Sequence, residues 1–296
     1  MSSKILFWNR RDSQVEEEQI YGDAFLRWIY ETTLGQKLAD KVLSHSFLSQ
    51  LYGYYQSSRW SRRKIPSFIK NFHIPMEEFE SGPFLTFNDF FIRKFKPGVR
   101  TFVPDPSQFP AFSEARYLGY EQVKPDQKFP VKGTTLSSSG LLLHLEWAKI
   151  FEGGPLLLAR LCPTDYHRFH FPDSGKCVAT YRIPGKLHSV NPIALRYKSE
   201  IFITNERQVS ILETQNFGKI AYIEVGANCV GKIIQTFPLQ KEFARGDEKG
   251  YFLFGASTII VLGVAGAWKP DSDLIKQTAL GRETLVQLGE PIASRA

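Results

Sequence analysis

From Ala111 onward the chain is a succession of short β-prone runs, punctuated by Gly, Pro and Asn at intervals of about 8 to 12 residues. Cys177 to Ile183, Glu200 to Thr204, Val209 to Glu213, Ile220 to Val225, Val230 to Thr236, Tyr251 to Phe254 and Ile259 to Val264 are such runs. The preceding part reads differently. From about Gln19 to Lys70, Phe25, Ile29, Leu34, Leu38, Val42 and Leu43 fall near a 3.6 period, which continues through Phe47, Leu48, Leu51 and Tyr54. Pro66 should break or kink whatever spans it. A short helix is expected near Asn88 to Arg93, stopped by Pro97-Gly98, and Pro104, Pro106 and Pro110 mark a linker. The expected fold is α+β: a helical N-terminal region, residues 1–104, then a β-rich domain of mostly antiparallel strands, residues 105–296.

With 296 residues the chain can bury a large core. Its formal charge is +7, and the cations cluster. Arg59, Arg62, Arg63, Lys64 and Lys70 lie beside Trp60, Ile65 and Phe68. Arg93, Lys94, Lys96 and Arg100 interleave with Phe90, Phe91 and Phe95. Basic residues mixed with aromatics suit nucleic-acid grooves and anionic membrane surfaces alike. The cysteines Cys162, Cys177 and Cys229 are odd in number and widely spaced, which argues against a disulfide framework or zinc site and for a reducing compartment. Lys4, Arg10 and Arg11 lead into the acidic run Glu16 to Glu18, unlike a signal peptide. The charge-free apolar stretch Thr258 to Trp268 is about half of the roughly 20 residues a membrane span requires. Membrane contact, if made, is expected to be peripheral, through side chains such as Trp60 and Phe68.

Between two of the β-prone runs lies the corner Gly255-Ala256-Ser257-Thr258. Its ordinary reading is a tight turn of small residues. Its chemical reading is that the Ser257 hydroxyl attacks the Ala256 carbonyl, an N-to-O acyl shift that β-elimination would convert into a cut. In this reading the runs on either side share one sheet and hold the fragments together. A base is then needed. Pro163-Thr164-Asp165-Tyr166-His167-Arg168-Phe169-His170 offers two imidazoles, whose ordinary pKa of about 6.5 suits proton transfer near neutrality. On a strand, positions three apart face opposite sides, so His167 and His170 are a poor metal pair, and both also suit aromatic packing. The carboxylate that would orient such a base is Glu114 or Asp165, each otherwise a surface charge. A conventional serine hydrolase fits less well, because Gly255-x-Ser257-x-Ile259 lacks the second Gly of the nucleophile elbow.

These motifs resemble the phosphatidylserine decarboxylase family, over about Ser49 to Ala293. Phe90-Phe91-Ile92-Arg93-Lys94-Phe95-Lys96-Pro97-Gly98-Val99-Arg100 is similar to the family's FF-x-R-x-(L/F)-KPG-x-R segment. Val131-Lys132-Gly133 with Leu141-Leu142, Asp165-Tyr166-His167-Arg168-Phe169-His170, Ser189-Val190-Asn191, Asn205-Glu206-Arg207 and Val225-Gly226-Ala227-x-x-Val230-Gly231 follow in the family order. Glu248-Lys249-Gly250-Tyr251-Phe252-x-Phe254-Gly255-Ala256-Ser257-Thr258 looks like the family's processing site.

The resemblance implies self-cleavage between Ala256 and Ser257, giving a large β chain, 1–256, and a small α chain, 257–296, that remain together as a heterodimer. Ser257 would become a pyruvoyl group, the self-derived cofactor. It would bind phosphatidylserine as a Schiff base and accept the electrons left when CO2 departs, giving phosphatidylethanolamine without metal. His170 would be the base for cutting, His167 would lie near the substrate, and Glu114 would replace the family's usual Asp. Ala256 replaces its usual Gly. The resemblance further implies a homodimer of the cut molecule, peripheral on the cytoplasmic face of a bacterial inner membrane, with anionic lipid and no nucleic acid as partner. Two alternatives stand beside it: a pyruvoyl decarboxylase of a soluble amino acid, and a lipid-binding homologue that has lost processing.

Overall fold

The computed structural model describes residues 4–43, 46–123, 136–198, 200–227, 232–238, 241–255 and 257–296. At its centre lies the strand Ser257–Gly263, buried along its whole length. Ile259, Ile260, Val261 and Leu262 form a continuous apolar run, as expected for a strand covered on both faces. It pairs antiparallel with Leu156–Leu161 on one edge and Lys219–Val225 on the other. From there the sheet grows to ten described strands in the order Glu242–Phe243, Gly175–Ile183, Arg207–Thr214, Lys219–Val225, Ser257–Gly263, Leu156–Leu161, Ala115–Tyr120, Glu283–Val286, Leu6–Asn9, Gln14–Glu17. Its one parallel pairing joins Leu6–Asn9 to Glu283–Val286. With helices alongside mostly antiparallel strands, the fold is α+β, as expected.

Alternation along the central strand divides the core. Ile260 and Leu262 face a cluster with Leu158, Val209 and Ile223, closed by helical residues including Ile29, Leu141, Ile193 and Phe202. Ile259 and Val261 face a second cluster with Leu157, Leu161, Phe169, Tyr222 and Phe252. Two three-stranded sheets contribute to that second cluster: Ile233–Gln235, Glu248–Phe252, Arg168–His170, and Trp268–Pro270, Pro291–Arg295, Gln108–Pro110. The same period of two puts Ser257 on the second face and Thr258 on the first.

The helical pattern before residue 73 resolves into short helices: Asp23–Glu31, Thr33–Leu38, a π turn at Ala39–Leu43, Ser46–Gln56, a 3-10 turn at Arg59–Lys64, and Ile65–Phe72. Pro66 stands in the first turn of the last one, where a missing N–H costs nothing. Ile65 and Phe68 from this helix, with Phe87, Phe90 and Phe91 from Phe87–Phe91, form a third cluster that also takes in Tyr166, Phe254 and Leu288. The N-terminal aromatics are thereby packed against the β-rich part.

Four expectations are corrected. Glu200 to Thr204 is β-prone but forms the helix Ile201–Thr204. Ile201 and Phe202 are consecutive and both buried in one cluster, which a helical turn permits and strand alternation does not. Tyr251 to Phe254 and Ile259 to Val264 do not share a sheet. Both edges of Ser257–Gly263 are occupied, so Glu248–Phe252 pairs instead with Arg168–His170 and Ile233–Gln235. Phe68 does not reach the surface: it is 4% exposed and packs in tilted and edge-on contacts against Tyr21, Phe72, Phe87 and Phe90, while Trp60 is 67% exposed with the Arg63 guanidinium 4.8 Å from its ring. In the second basic cluster Phe90, Phe91 and Arg93 are buried, so it is not a continuous surface stripe. Val131-Lys132-Gly133, Cys229 and Val230-Gly231 lie outside the described residues.

A buried ionic chain crosses the outer part of the large sheet. Glu18 accepts from Arg160 at 2.6 and 3.2 Å and lies 3.2 Å from Arg116; Arg160 also binds Glu283, and Arg116 binds Asp165 at 2.7 Å. Burial by itself would raise the Glu18 carboxyl, but Arg160 and Arg116 outweigh it and hold the group at about 2. A carboxyl with a depressed folded pKa stabilises the fold above its unfolded value, and that stability is lost as pH falls through the folded one. We therefore predict a stability loss between about pH 4.5 and pH 2 in chemical-denaturation curves, to which Glu18 contributes. Glu18→Gln should lower stability at neutral pH by about 3–5 kcal/mol, the usual cost of breaking a buried pair, and should flatten the acid slope.

Candidate active site

The site is assembled from three pieces of chain around Ser257. Ser257 is wholly buried, and its hydroxyl has no hydrogen-bond partner among the described residues. A buried, unsatisfied hydroxyl costs free energy, and such atoms concentrate where chemistry is done. Ahead of it, Gly255 has φ +149°, a conformation closed to residues with a Cβ. Phe254 is clamped: its N–H donates to the Asn88 side chain at 2.9 Å, and its ring lies 5.0–5.9 Å from those of Phe87, Phe91, Tyr21 and Tyr52. Asn88 is set by the helix Phe87–Phe91, whose N-terminus carries a reciprocal cap between Thr86 and Asp89. Ala256 lies outside the described residues.

The second piece is the Asp165 to His170 segment. His167 is fully buried, with its ring 3.8 Å from that of Phe91. Its Nδ1 is 3.0 Å from the Asp165 carbonyl oxygen, which can only accept, so the proton sits on Nδ1 and Nε2 carries the lone pair. Nε2 lies beside the Gly255 backbone without a well-formed hydrogen bond. Burial drives the His167 pKa down to about 3, so the ring is a neutral acceptor throughout the physiological range. His170 is engaged at both nitrogens: Nδ1 donates to the Gly246 carbonyl at 2.9 Å, and Nε2 accepts from the Tyr166 hydroxyl at 3.1 Å. Burial lowers its pKa too.

The third piece orients the second. Arg93 is buried between the rings of Phe79 and Phe90 and donates to the carbonyls of Thr164 and Asp165 at 2.9 and 3.5 Å. Arg168 donates to the Ile92 carbonyl at 2.7 Å and pairs with Glu248. The Asp165 carboxylate is held by Arg116 and by the Cys162 N–H, both at 2.7 Å. Glu114 accepts from Arg100 at 2.7 and 2.9 Å and from the Leu288 N–H at 3.3 Å; burial nonetheless pushes its carboxyl up.

Of the residues anticipated from sequence, the structure brings His167 up to the Gly255 backbone that precedes Ser257. It places His170 one strand residue beyond Phe169, facing Gly246 and Tyr166. Neither Glu114 nor Asp165 directs its carboxylate to an imidazole; backbone carbonyls orient both rings. Glu114 lies two residues from Phe112, whose carbonyl accepts the His170 backbone N–H at 2.8 Å. Sequence reasoning missed Asn88, Arg116 and Tyr166 as positioning groups. Their partners are 49 to 166 residues away or a ring nitrogen four positions on, and no local spacing marks them.

The chemistry this arrangement can carry is attack by a buried hydroxyl assisted by a neutral imidazole, in a water-poor, aromatic-walled setting. Its residues suit a group made from Ser257 itself. The hydroxyl is unengaged, glycine precedes it in the corner, and the His167 ring lies beside the Gly255 backbone. Among the described residues no three His, Cys, Asp or Glu side chains are grouped as metal ligands, and no helix is long and apolar enough to cross a membrane.

Comparison with known proteins places these features in one family. The family model described as phosphatidylserine decarboxylase matches residues 87–294. A phosphatidylserine decarboxylase proenzyme of Clostridium kluyveri is 43% identical over 97% of this chain and 98% of its own length. Proenzymes of the same name from Clostridium botulinum and Desulfitobacterium hafniense are 41% and 40% identical, each over 98% of this chain.

The His167 geometry yields a test. The ring-carbon NMR resonance of His167 should stay flat from about pH 8 to about pH 5, whereas a ring with the ordinary pKa of about 6.5 would move through that window.

Proposed function

The chain belongs to the phosphatidylserine decarboxylase family, and from that premise we propose that it matures by cutting itself at Ser257 and then converts phosphatidylserine to phosphatidylethanolamine and CO2. The observation that carries the proposal is the buried, unpartnered Ser257 hydroxyl just after a glycine corner whose Gly255 backbone lies beside the His167 ring. The hydroxyl adds to the carbonyl of the preceding peptide, the C–N bond breaks, and the acyl group passes from nitrogen to oxygen. Loss of the Ser257 α-proton then expels the 1–256 carboxylate. The dehydroalanine that remains becomes an imine, and water releases ammonia to leave a pyruvoyl group at the head of 257–296.

That group supplies a carbonyl that engages the substrate amine and takes up the electrons released with CO2. This chain's residues do the rest. Phe91, Phe254 and their neighbours keep water away from the reacting atoms, which strengthens every polar interaction inside. Arg93 and Arg116 hold the Asp165 turn, and through it the His167 ring. In this reading His167 moves protons at the substrate, and Tyr166 holds the Nε2 of His170.

The family resemblance gives His170 the role of base for cutting, with Glu114 as its acid. A second reading has a specific observation in its favour: both His170 nitrogens are engaged, while His167 Nε2 is unengaged and lies beside Gly255. In that reading His167 takes the Ser257 proton.

We further propose residues 1–104 as the membrane-facing region and 105–296 as the catalytic one, the two fragments staying together and the cut molecule pairing with a second copy. Its place would be the cytoplasmic face of the bacterial inner membrane. Exposed Trp60, Tyr54, Tyr55, Arg59, Arg62 and Arg63 support membrane contact. Each basic residue near an anionic surface contributes about 1 kcal/mol.

Ser257→Ala should abolish both cutting on a denaturing gel and CO2 release from labelled phosphatidylserine. Turnover by that variant would overturn the mechanism. Intact mass of the short fragment should correspond to 257–296 with a pyruvoyl N-terminus; an ordinary amine there would refute it. His170→Ala and His167→Ala separate the two base assignments, since removing the true base should slow cutting by about 10²- to 10⁴-fold and removing the other should leave cutting near normal.

A further inference from the structure

Behind the strand that carries Ser257, on the opposite face of the sheet, lies a cavity of about 490 Å³. Its floor includes Leu158 and Arg160, the residues paired with Ile260 and Thr258 of the central strand. Leu118, Leu195, Phe202 and Ile5 continue that floor, and all four belong to the helix-covered core cluster. Leu280, mostly exposed, forms part of the rim.

The charges of the lining are one-sided. Lys4, Arg160, Arg196 and Arg282 stand against a single carboxylate, Glu283. Lys4 is engaged by Glu17, and Arg160 by Glu18 and Glu283, so these carry little charge to spare. Arg282 takes part in no ion pair among the described residues, and it sits beside Leu280 at the rim. The cavity therefore has a mainly apolar floor, interrupted by the paired Arg160 and Glu283, and a cation at its mouth. Its volume falls within the range of about 300–1,000 Å³ usual for small-molecule sites, at the end that suits one hydrocarbon chain. Filling the part of the recess lined by Ile5, Leu118, Leu158, Leu195 and Phe202 with hydrocarbon is favourable at about 0.8 kcal/mol per buried methylene.

We propose that this cavity is a second binding site, separate from Ser257, for an anionic amphiphile: one acyl or alkyl chain on the floor and a phosphate or carboxylate at Arg282. The site does not depend on the chemistry proposed for Ser257, and its occupancy is read by binding alone. Its floor is nevertheless ionically continuous with the Asp165 to His170 segment, since Arg160 shares Glu18 with Arg116, which holds Asp165.

The test titrates the full chain with dodecyl phosphate, below the concentration at which it forms micelles, by isothermal calorimetry. Saturable binding of one molecule per chain is expected. Arg282→Glu should weaken it by about ten-fold or more through charge reversal, and Leu280→Asp, on the exposed rim, should weaken it similarly. Thermal melts of both variants should match the parent, since neither residue belongs to the core. Undiminished affinity in Arg282→Glu would overturn the proposal. So would equal affinity for inorganic phosphate, which would mark a simple anion site, or for neutral dodecyl maltoside, which would mark an indifferent greasy patch. Displacement of dodecyl phosphate by dodecanoate would point to a free fatty acid as occupant. Displacement by lysophosphatidylglycerol in phosphatidylcholine vesicles would point to a lipid drawn from a bilayer, and either result upholds the site.

Discussion

The strand Ser257–Gly263 has no free edge, and the architecture of the site follows from that. Leu156–Leu161 and Lys219–Val225 occupy both sides of it, and core clusters cover both faces. The incoming segment cannot join the same sheet, so the chain must leave one sheet and enter another within a few residues of Gly255. The serine stands at that transition, at the first position of a rigid strand and immediately after a glycine-containing corner. In the proposed maturation the cut would fall where no interstrand ladder is lost, and the 257–296 fragment would remain in place through pairings on both edges.

A second constraint is the aromatic clamp. Phe254 lies between the Phe87–Phe91 helix and Tyr21 and Tyr52, while Phe91 also stacks on His167. Aromatic pairs at these distances add about 0.5–1.5 kcal/mol each beyond simple area burial. Their combined effect is to fix one residue ahead of the corner and the imidazole beside it with the same side chains. The N-terminal region therefore does two things at once: its inner face builds the wall of the site, and its outer face presents Trp60, Tyr54, Arg62 and Arg63 to solvent. Burial also keeps His167 neutral, because a charged ring would be stranded away from water.

Charge is handled differently on the two faces of the large sheet. Near the cavity, Glu18, Arg160, Glu283, Arg116 and Asp165 form a continuous chain of alternating sign. On the Ser257 face, Lys249 and Glu224 form a buried pair at 2.5 Å, with Gln235 completing the lysine's partners. Such pairs add little net stability compared with apolar packing, but they are costly to break singly, so they tie distant segments to one register. Residues 18, 116, 160, 165 and 283 are tied together in this way.

Sequence alone determined the α+β class, about half of the described strands after Ala111, the short helix before Arg93, and the motif order that identified the family, because periodicity, punctuation and residue chemistry are local. It also singled out Ser257 and the paired histidines, since a glycine corner and two imidazoles three positions apart are visible in a few letters. Tertiary structure decided the rest. Whether Phe68 meets lipid or Tyr21, whether Ile201 is strand or helix, and which sheet receives Glu248–Phe252 depend on what already occupies each face and edge. The partners of the His167 and His170 ring nitrogens were decided in the same way: backbone carbonyls and a hydroxyl meet them, and hydrogen-bond geometry between segments up to 76 residues apart leaves no periodic trace in the chain.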